Sequence, residues 1–383
     1  MTMTFAQIQA NFELERAANK SPRSVDDIPL SYEAITPEWL TAVLQQTHPG
    51  IRVAGLTLDK KDEGTSSRRR IFLRYDHDLE SPDWPKSVFC KGTPGLEHRY
   101  MLGMNNGIAA EVNFYNLVRP NLPIEAPVAY LANYDRKSLN SIIVMRDMRS
   151  EVQFCPLDFP MTLEHGMSQM NLLARLHGEF YAQPQKLIAL QGFTNWEDFF
   201  TITVELAGFG EACARGFRDA EAVIPKPLFA RQQEIWPATM ACNAAHTRLP
   251  RTLVHSDVHL KNWFITKNGK MGLNDWQCCS KGNWGRDVSY AISTAFLPEQ
   301  RGRVERELIR YYLNQLREYG APAPAFDEAF TIYRQQLFAA LAWWTGTLGQ
   351  PPEAPKMQPQ ETSLEFIRRM AHAIYDLDAL GSF

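Results

Sequence analysis

Between Leu253 and Gln277 stand three side chains whose types and spacing could do chemistry: Asp257, Asn262 five positions on, and Asp275 beyond a turn. Leu253-Val254 ahead of His255-Ser256-Asp257 reads as an apolar strand feeding a polar loop. Trp263-Phe264-Ile265, the turn Lys267-Asn268-Gly269-Lys270 and Met271-Gly272-Leu273 then read as a β-hairpin. Antiparallel strands return the chain to its starting point, so the hairpin brings Asp275 back beside Asn262. A carboxylate can orient a hydroxyl and accept its proton; an amide oxygen and a second carboxylate are hard ligands suited to Mg²⁺. The bland alternative is that all three only cap turns, as Asp and Asn often do. A different chemistry is written in His255-x-Asp257-x-His259, where three potential metal ligands at alternate positions would share one face of a strand, as in a metal-dependent hydrolase. That alternative leaves Asn262 and Asp275 without roles.

The rest of the chain must position these groups. At 383 residues it is far longer than one small core requires, so two lobes sharing a cleft are expected. With 45% hydrophobic and 22% charged residues it can bury enough apolar surface to offset chain entropy, which excludes wholesale disorder. A formal net charge of −3 gives no strong field of either sign, so a small molecule is the expected partner, and nucleic acid and stable membrane insertion are not. Six cysteines without a two-residue pair spacing read as reduced thiols. The start, Met1 to Lys20, lacks the basic-then-apolar order of a secretory signal, and no apolar run reaches membrane-spanning length; both favour the cytoplasm.

Helical character over Phe5 to Lys20 ends in turn formers and reads as an extension, residues 1–35. Thr36-Pro37-Glu38 is a helix start. From Ile51 to Arg146 short β-type runs follow at Ile51 to Leu58, Arg70 to Tyr75, Ser87 to Lys91, Val128 to Tyr134 and Ser141 to Met145, interrupted by one helix over Ile108 to Val118. These make a first lobe, 36–147. Residues 148–383 are mainly helical, with helices over Leu163 to Glu179, Trp196 to Ala207, Pro298 to Tyr319, Phe326 to Leu348 and Ser363 to Leu377.

The block around Asp257 resembles the catalytic loop and metal-binding segment shared by protein kinases and small-molecule kinases. More narrowly, the chain is similar to the aminoglycoside phosphotransferase and choline kinase superfamily, and most similar to its ecdysteroid-kinase-like branch, which carries Asp-Trp-Gln, here Asp275-Trp276-Gln277, where protein kinases carry Asp-Phe-Gly. The resemblance runs from about Ile35 to Leu377. It implies an α+β, protein-kinase-like bilobal fold, with an N-terminal antiparallel sheet lobe carrying one main helix and a larger, mainly helical C-terminal lobe. It also implies ATP and Mg²⁺ as cofactors and a small-molecule alcohol as phosphate acceptor, with Asp257 as the catalytic base and Asn262 and Asp275 on the metal.

Other positions follow from the same resemblance. Lys91, ending Ser87-Val88-Phe89-Cys90, is similar to the strand lysine that meets the nucleotide phosphates, and Glu111 to its ion-pair partner. Alone, an exposed Lys or Glu is usually a solvated charge. Gly64, Thr65, Ser66 and Ser67 lie where a phosphate-covering loop is expected, although one glycine replaces the three of protein kinases; the alternative is an ordinary polar hairpin. Ile142 to Met148 resembles the hinge, placing Met145 and Asp147 beside the adenine, with Arg146 where the family usually has Glu. His255 is expected as a scaffold, His259 either facing the transferring phosphate or purely structural, and Asp287 as the aspartate that bonds the catalytic-loop backbone. Leu173 to Gly178 resembles the family's apolar helix ending in His, where His177 is read as packing. Trp284, Tyr290, Trp343 and Trp344 are candidate walls of an acceptor pocket, with core packing as the alternative. A nucleotide-binding module without catalysis would be expected to have lost the base or a metal ligand, and all three are present.

Overall fold

The computed structural model describes residues 3–76, 81–103, 105–351 and 358–383. The chain divides into two compact units, Met1–Glu151 and Val152–Phe383.

In the first unit the strands β1 (Val53–Leu58), β2 (Asp62–Glu63), β3 (Ser67–Tyr75), β4 (Ser87–Gly92), β5 (Ala129–Tyr134) and β6 (Ser141–Arg146) form an antiparallel sheet. Its order is β1-β3-β4-β6-β5, with β2 paired to β3. Helix α1 spans Phe5–Ala18 and α2 spans Pro37–Gln45. The expected start of α2 is built as read: the Thr36 hydroxyl accepts from the Trp39 N–H at 3.2 Å, with Pro37 in the first turn. One apolar stripe of α2, Trp39, Leu40, Val43 and Leu44, packs with Val88, Cys90, Ile142 and Val144 of the sheet. Residues paired across β4 and β6, Phe89 with Met145 and Lys91 with Ile143, alternate with that set and share the opposite face.

The helix expected over Ile108 to Val118 is α4 (Gly107–Asn113) running into a π-helical turn, Phe114–Val118, and α3 (Leu96–Gly103) precedes it. Helix α1 packs here, with Ile8 in a cluster with Leu102, Ile108 and Leu139. The fully buried Arg99 of α3 meets Glu15 of α1 at 2.7 Å and donates to the carbonyls of Thr93 and Ser138.

The second unit is mainly helical. Its helices are α5 (Leu163–Phe180), α6 (Pro184–Ile188), α7 (Trp196–Ala207), α8 (Phe209–Asp219), α9 (Lys226–Phe229), α10 (Gln232–His246), α11 (Gly285–Ala295), α12 (Pro298–Glu318), α13 (Phe326–Leu348) and α14 (Gln360–Asp376). Helix α13, apolar on most sides, packs against α8, α11 and α14 and forms the core. Gly216 lets α8 approach it: a Cβ there would lie 1.9 Å from the Thr345 carbonyl oxygen. Two small sheets interrupt the helices, β10 (Met271–Leu273) with β9 (Trp263–Thr266) and β7 (Val152–Phe154), and β11 (Ser280–Gly282) with β8 (Thr252–Val254). The chain thus has the α+β, kinase-like architecture of two units that the resemblance implies. Among the described residues no helix is long and apolar enough to cross a membrane.

Candidate functional site

The strand β8 ends at Val254 and the next five residues are not strand. Ser256 adopts a left-handed conformation, φ +68°, which turns the chain sharply and costs a non-glycine residue about 1 kcal/mol. Asp287 holds this turn, its two oxygens accepting the N–H groups of His255 at 2.7 Å and Ser256 at 2.8 Å. Burial opposes ionisation of Asp287, yet the hydrogen bonds from His177 and the loop keep its carboxyl below the usual range. His177, at the last turn of α5, lies with Nε2 3.1 Å from Asp287 and Nδ1 2.8 Å from the Tyr312 hydroxyl. Packing alone, the sequence expectation for His177, omits this contact.

His255 is bonded through both ring nitrogens. The Asp257 N–H donates to Nδ1 at 3.2 Å, so Nδ1 carries no proton and the Nε2–H donates to the Asn274 carbonyl at 2.9 Å. Burial lowers its pKa and keeps the ring neutral. Both nitrogens are thereby engaged, and residues 255–259 are not strand, so His255, Asp257 and His259 do not share the strand face that the metal-hydrolase alternative expects.

The hairpin acts as expected. Trp263 pairs with Leu273, and the Asn274 N–H and side-chain amide both donate to the Asn262 carbonyl at 3.0 Å, so Asp275 follows directly on the residue bonded to Asn262. Gly269 makes the turn with φ +75°. Asp275 is itself left-handed, φ +65°. The Asn262 side-chain amide nitrogen donates to the Asp257 carbonyl at 2.8 Å and to Oδ2 of Asp257 at 3.2 Å, which turns its amide oxygen away from that carboxylate. An amide oxygen so directed and the carboxylate of Asp275 are hard donors of the kind Mg²⁺ takes. The Asp257 side chain is one-quarter exposed. His259 Nε2 stands 3.6 Å from Oδ2 of Asp257, beyond hydrogen-bond reach; burial lowers its pKa, and its buried Nδ1 has no hydrogen-bond partner among the described residues.

Two aromatic residues enter this cluster through contacts that the sequence did not specify. The Tyr290 hydroxyl donates to Oδ1 of Asp257 at 3.2 Å, and the Trp344 indole N–H donates to the same hydroxyl at 2.7 Å. Trp284 is fully buried against Tyr312 and packs as core, whereas Trp343 is half-buried among Trp196, Phe199, Phe200 and Phe209. A cavity of about 570 Å³ is lined by Cys213, Phe217, Trp236 and Thr345 and by none of residues 255–275.

In the first unit, Lys91 Nζ lies 2.8 Å from the Glu111 carboxylate, and both are buried. The pair joins β4 to α4 on the face opposite α2. The turn at Gly64 to Ser66 leads into β3, where Ser67 pairs with Gly92 and Arg68 with Lys91. Ser66 and Ser67 are buried; the Ser67 hydroxyl donates to Glu63, while Gly64 is exposed and Thr65 half-buried. Met145 has its backbone in the sheet, paired with both Phe89 and Ala129. Asp147 accepts from Arg70, the Ser87 hydroxyl at 2.7 Å and the Arg149 N–H at 3.2 Å, and the Arg70 guanidinium with these donors overcomes burial to keep its carboxyl below the usual range. It ties β3, β4 and the end of β6 together, so this carboxylate is already engaged within the sheet.

The family model described as the phosphotransferase enzyme family matches residues 107–325, more than half of the chain. No curated protein sequence matches it. Among solved structures, a Ralstonia eutropha protein described as an aminoglycoside phosphotransferase is similar with TM-score 0.53 and 13% identity, over 88% of this chain and 96% of that one. An ethanolamine kinase of Plasmodium vivax is similar with TM-score 0.51 and 10% identity, over 98% and 96%. Aminoglycoside 2′-phosphotransferase-IIIa in its GDP complex is similar with TM-score 0.51 and 12% identity, over 88% and 98%. At these identities the likeness is one of fold, while the sequence match over 107–325 is one of family: this chain belongs to the phosphotransferase enzyme family.

Proposed function

We propose that the protein transfers the γ-phosphoryl group of ATP to a hydroxyl of a small molecule. The observation that carries this reading is the joint placement of Asp257, Asn262 and the residue bonded to it at Asn274, next to Asp275. Asp257 would orient the acceptor hydroxyl and take its proton as the oxygen bonds to the γ-phosphorus and the bond to ADP breaks. Asn262 and Asp275 would hold Mg²⁺, which supplies charge neutralisation on the phosphate oxygens. Lys91, kept extended by Glu111, would meet the nucleotide phosphates, and the backbone of the turn Gly64, Thr65, Ser66 would lie over them. Met145 and Asp147 would frame the adenine side through backbone and packing, with His255 and Asp287 fixing the loop and His259 bordering the carboxylate.

Retention of the base and both metal ligands supports catalysis over nucleotide binding alone. The GDP complex of one structural neighbour makes the base of the nucleotide a point for direct test. The experiment is release of ADP or GDP from the Mg²⁺-nucleotide across amino alcohols, sterol-like alcohols, sugars and aminoglycosides. Acceptor-dependent, EDTA-sensitive release supports the reading; no release with any acceptor or nucleotide opposes it.

A further inference from the structure

We propose that Tyr290 is a positioning residue for Asp257, with Trp344 directing the Tyr290 hydroxyl proton onto the carboxylate. The inference rests on the reading that Asp257 orients the acceptor hydroxyl. An indole N–H only donates, whereas a phenol has one proton to give and lone pairs to receive with. Because Trp344 Nε1 donates to the Tyr290 oxygen at 2.7 Å, that oxygen is the acceptor there, and its single proton goes to Oδ1 of Asp257, 3.2 Å away. Oδ2 meanwhile receives the Asn262 amide at 3.2 Å. The carboxylate is thus held at each oxygen from a different element, α11 on one side and its own loop on the other, and its plane is fixed.

The donor is itself immobilised. Tyr290 and Trp344 are buried at 1% and 4% exposure. The fully buried Arg286 guanidinium lies 5.1 Å from the Tyr290 ring centroid and 4.2 Å from that of Trp196, and donates to the Ser256 carbonyl at 2.9 Å. The Trp344 ring packs on Phe366 at 4.5 Å and His259 at 5.2 Å. Burial raises the Tyr290 phenol well above its ordinary pKa, so its proton stays in place. A hydrogen bond from a neutral donor to a charged group, in a site where small displacements are costly, is of the size that controls rate through orientation.

The test is steady-state ADP release from MgATP with whichever alcohol of the acceptor panel turns over fastest. Tyr290→Phe is expected to lower kcat roughly tenfold or more while KM for MgATP changes by less than about twofold. Trp344→Phe, which leaves the hydroxyl in place but undirected, is expected to lower kcat by a smaller factor with the same KM. The double variant should be no slower than Tyr290→Phe alone, because Trp344 acts only through that hydroxyl. Unchanged kcat in a folded Tyr290→Phe protein, or losses that multiply in the double variant, would overturn the inference. Should Tyr290→Phe not fold, unchanged kcat in Trp344→Phe overturns it equally. A parent protein without phosphoryl transfer would instead defeat the functional reading beneath it.

Discussion

At the scale of single residues, the Lys91–Glu111 pair shows how a charge is kept in a buried place. Removing one partner of a buried ion pair deprives the other charge of that counter-charge, whereas replacing both with apolar groups can be neutral. Lys91→Met is therefore expected to destabilise the protein by roughly 3–5 kcal/mol in chemical denaturation. Lys91→Met with Glu111→Leu should regain most of that stability and none of the turnover. Recovery of turnover in the double variant would remove Lys91 from the nucleotide's phosphates. Asp257, Asn262 and Asp275 were legible in sequence through their spacing within one loop and hairpin, and Lys91 and Glu111 through the family resemblance. Tyr290 and Trp344 were read only as candidate pocket walls: the hydrogen bonds from Trp344 to Tyr290 and from Tyr290 to Asp257 depend on how α11 and α13 pack, which no local pattern encodes.

At the scale of elements, His246 joins α10 to the loop before α11. The Asn283 N–H donates to Nε2 at 2.9 Å, so Nδ1 bears the proton and donates to Oε1 of Gln336 at 3.0 Å. Burial lowers its pKa to about 4. The unfolded chain, with His246 near 6.5, therefore binds more protons than the folded one between those values. Stability from this group is full above about 6.5 and is lost progressively as pH falls to about 4, amounting to a few kcal/mol. Chemical denaturation across that range should show the slope, and a folded His246→Gln variant should show a shallower one; an identical slope would discount the role.

The longer strands of the first unit and the helices Leu163–Phe180, Trp196–Ala207, Pro298–Glu318 and Phe326–Leu348 were legible because their periodicities are local; Phe326–Leu348 begins and ends where the sequence places it. Helix α3 was not, since its buried face is built on His98 and Arg99, and a charged residue satisfied by Glu15 and two carbonyls does not read as core. The docking of α1 was hidden for the same reason: Ile8 is its one buried residue, and its partners lie about a hundred positions away.

At the scale of the whole molecule, composition and charge bounded the class, and the block from Leu253 to Gln277 carried the family resemblance. Binding of Mg²⁺-nucleotide to the folded state should raise the melting temperature by several degrees, about 2.7 kcal/mol at a hundredfold excess over Kd. Asp275→Asn should lose most of that Mg²⁺-dependent part. The most direct test of the central claim is phosphoryl transfer by Asp257→Asn, measured beside its nucleotide affinity. The account predicts a fall in turnover of roughly 10²–10⁴-fold with affinity essentially retained. Turnover equal to that of the parent would contradict it.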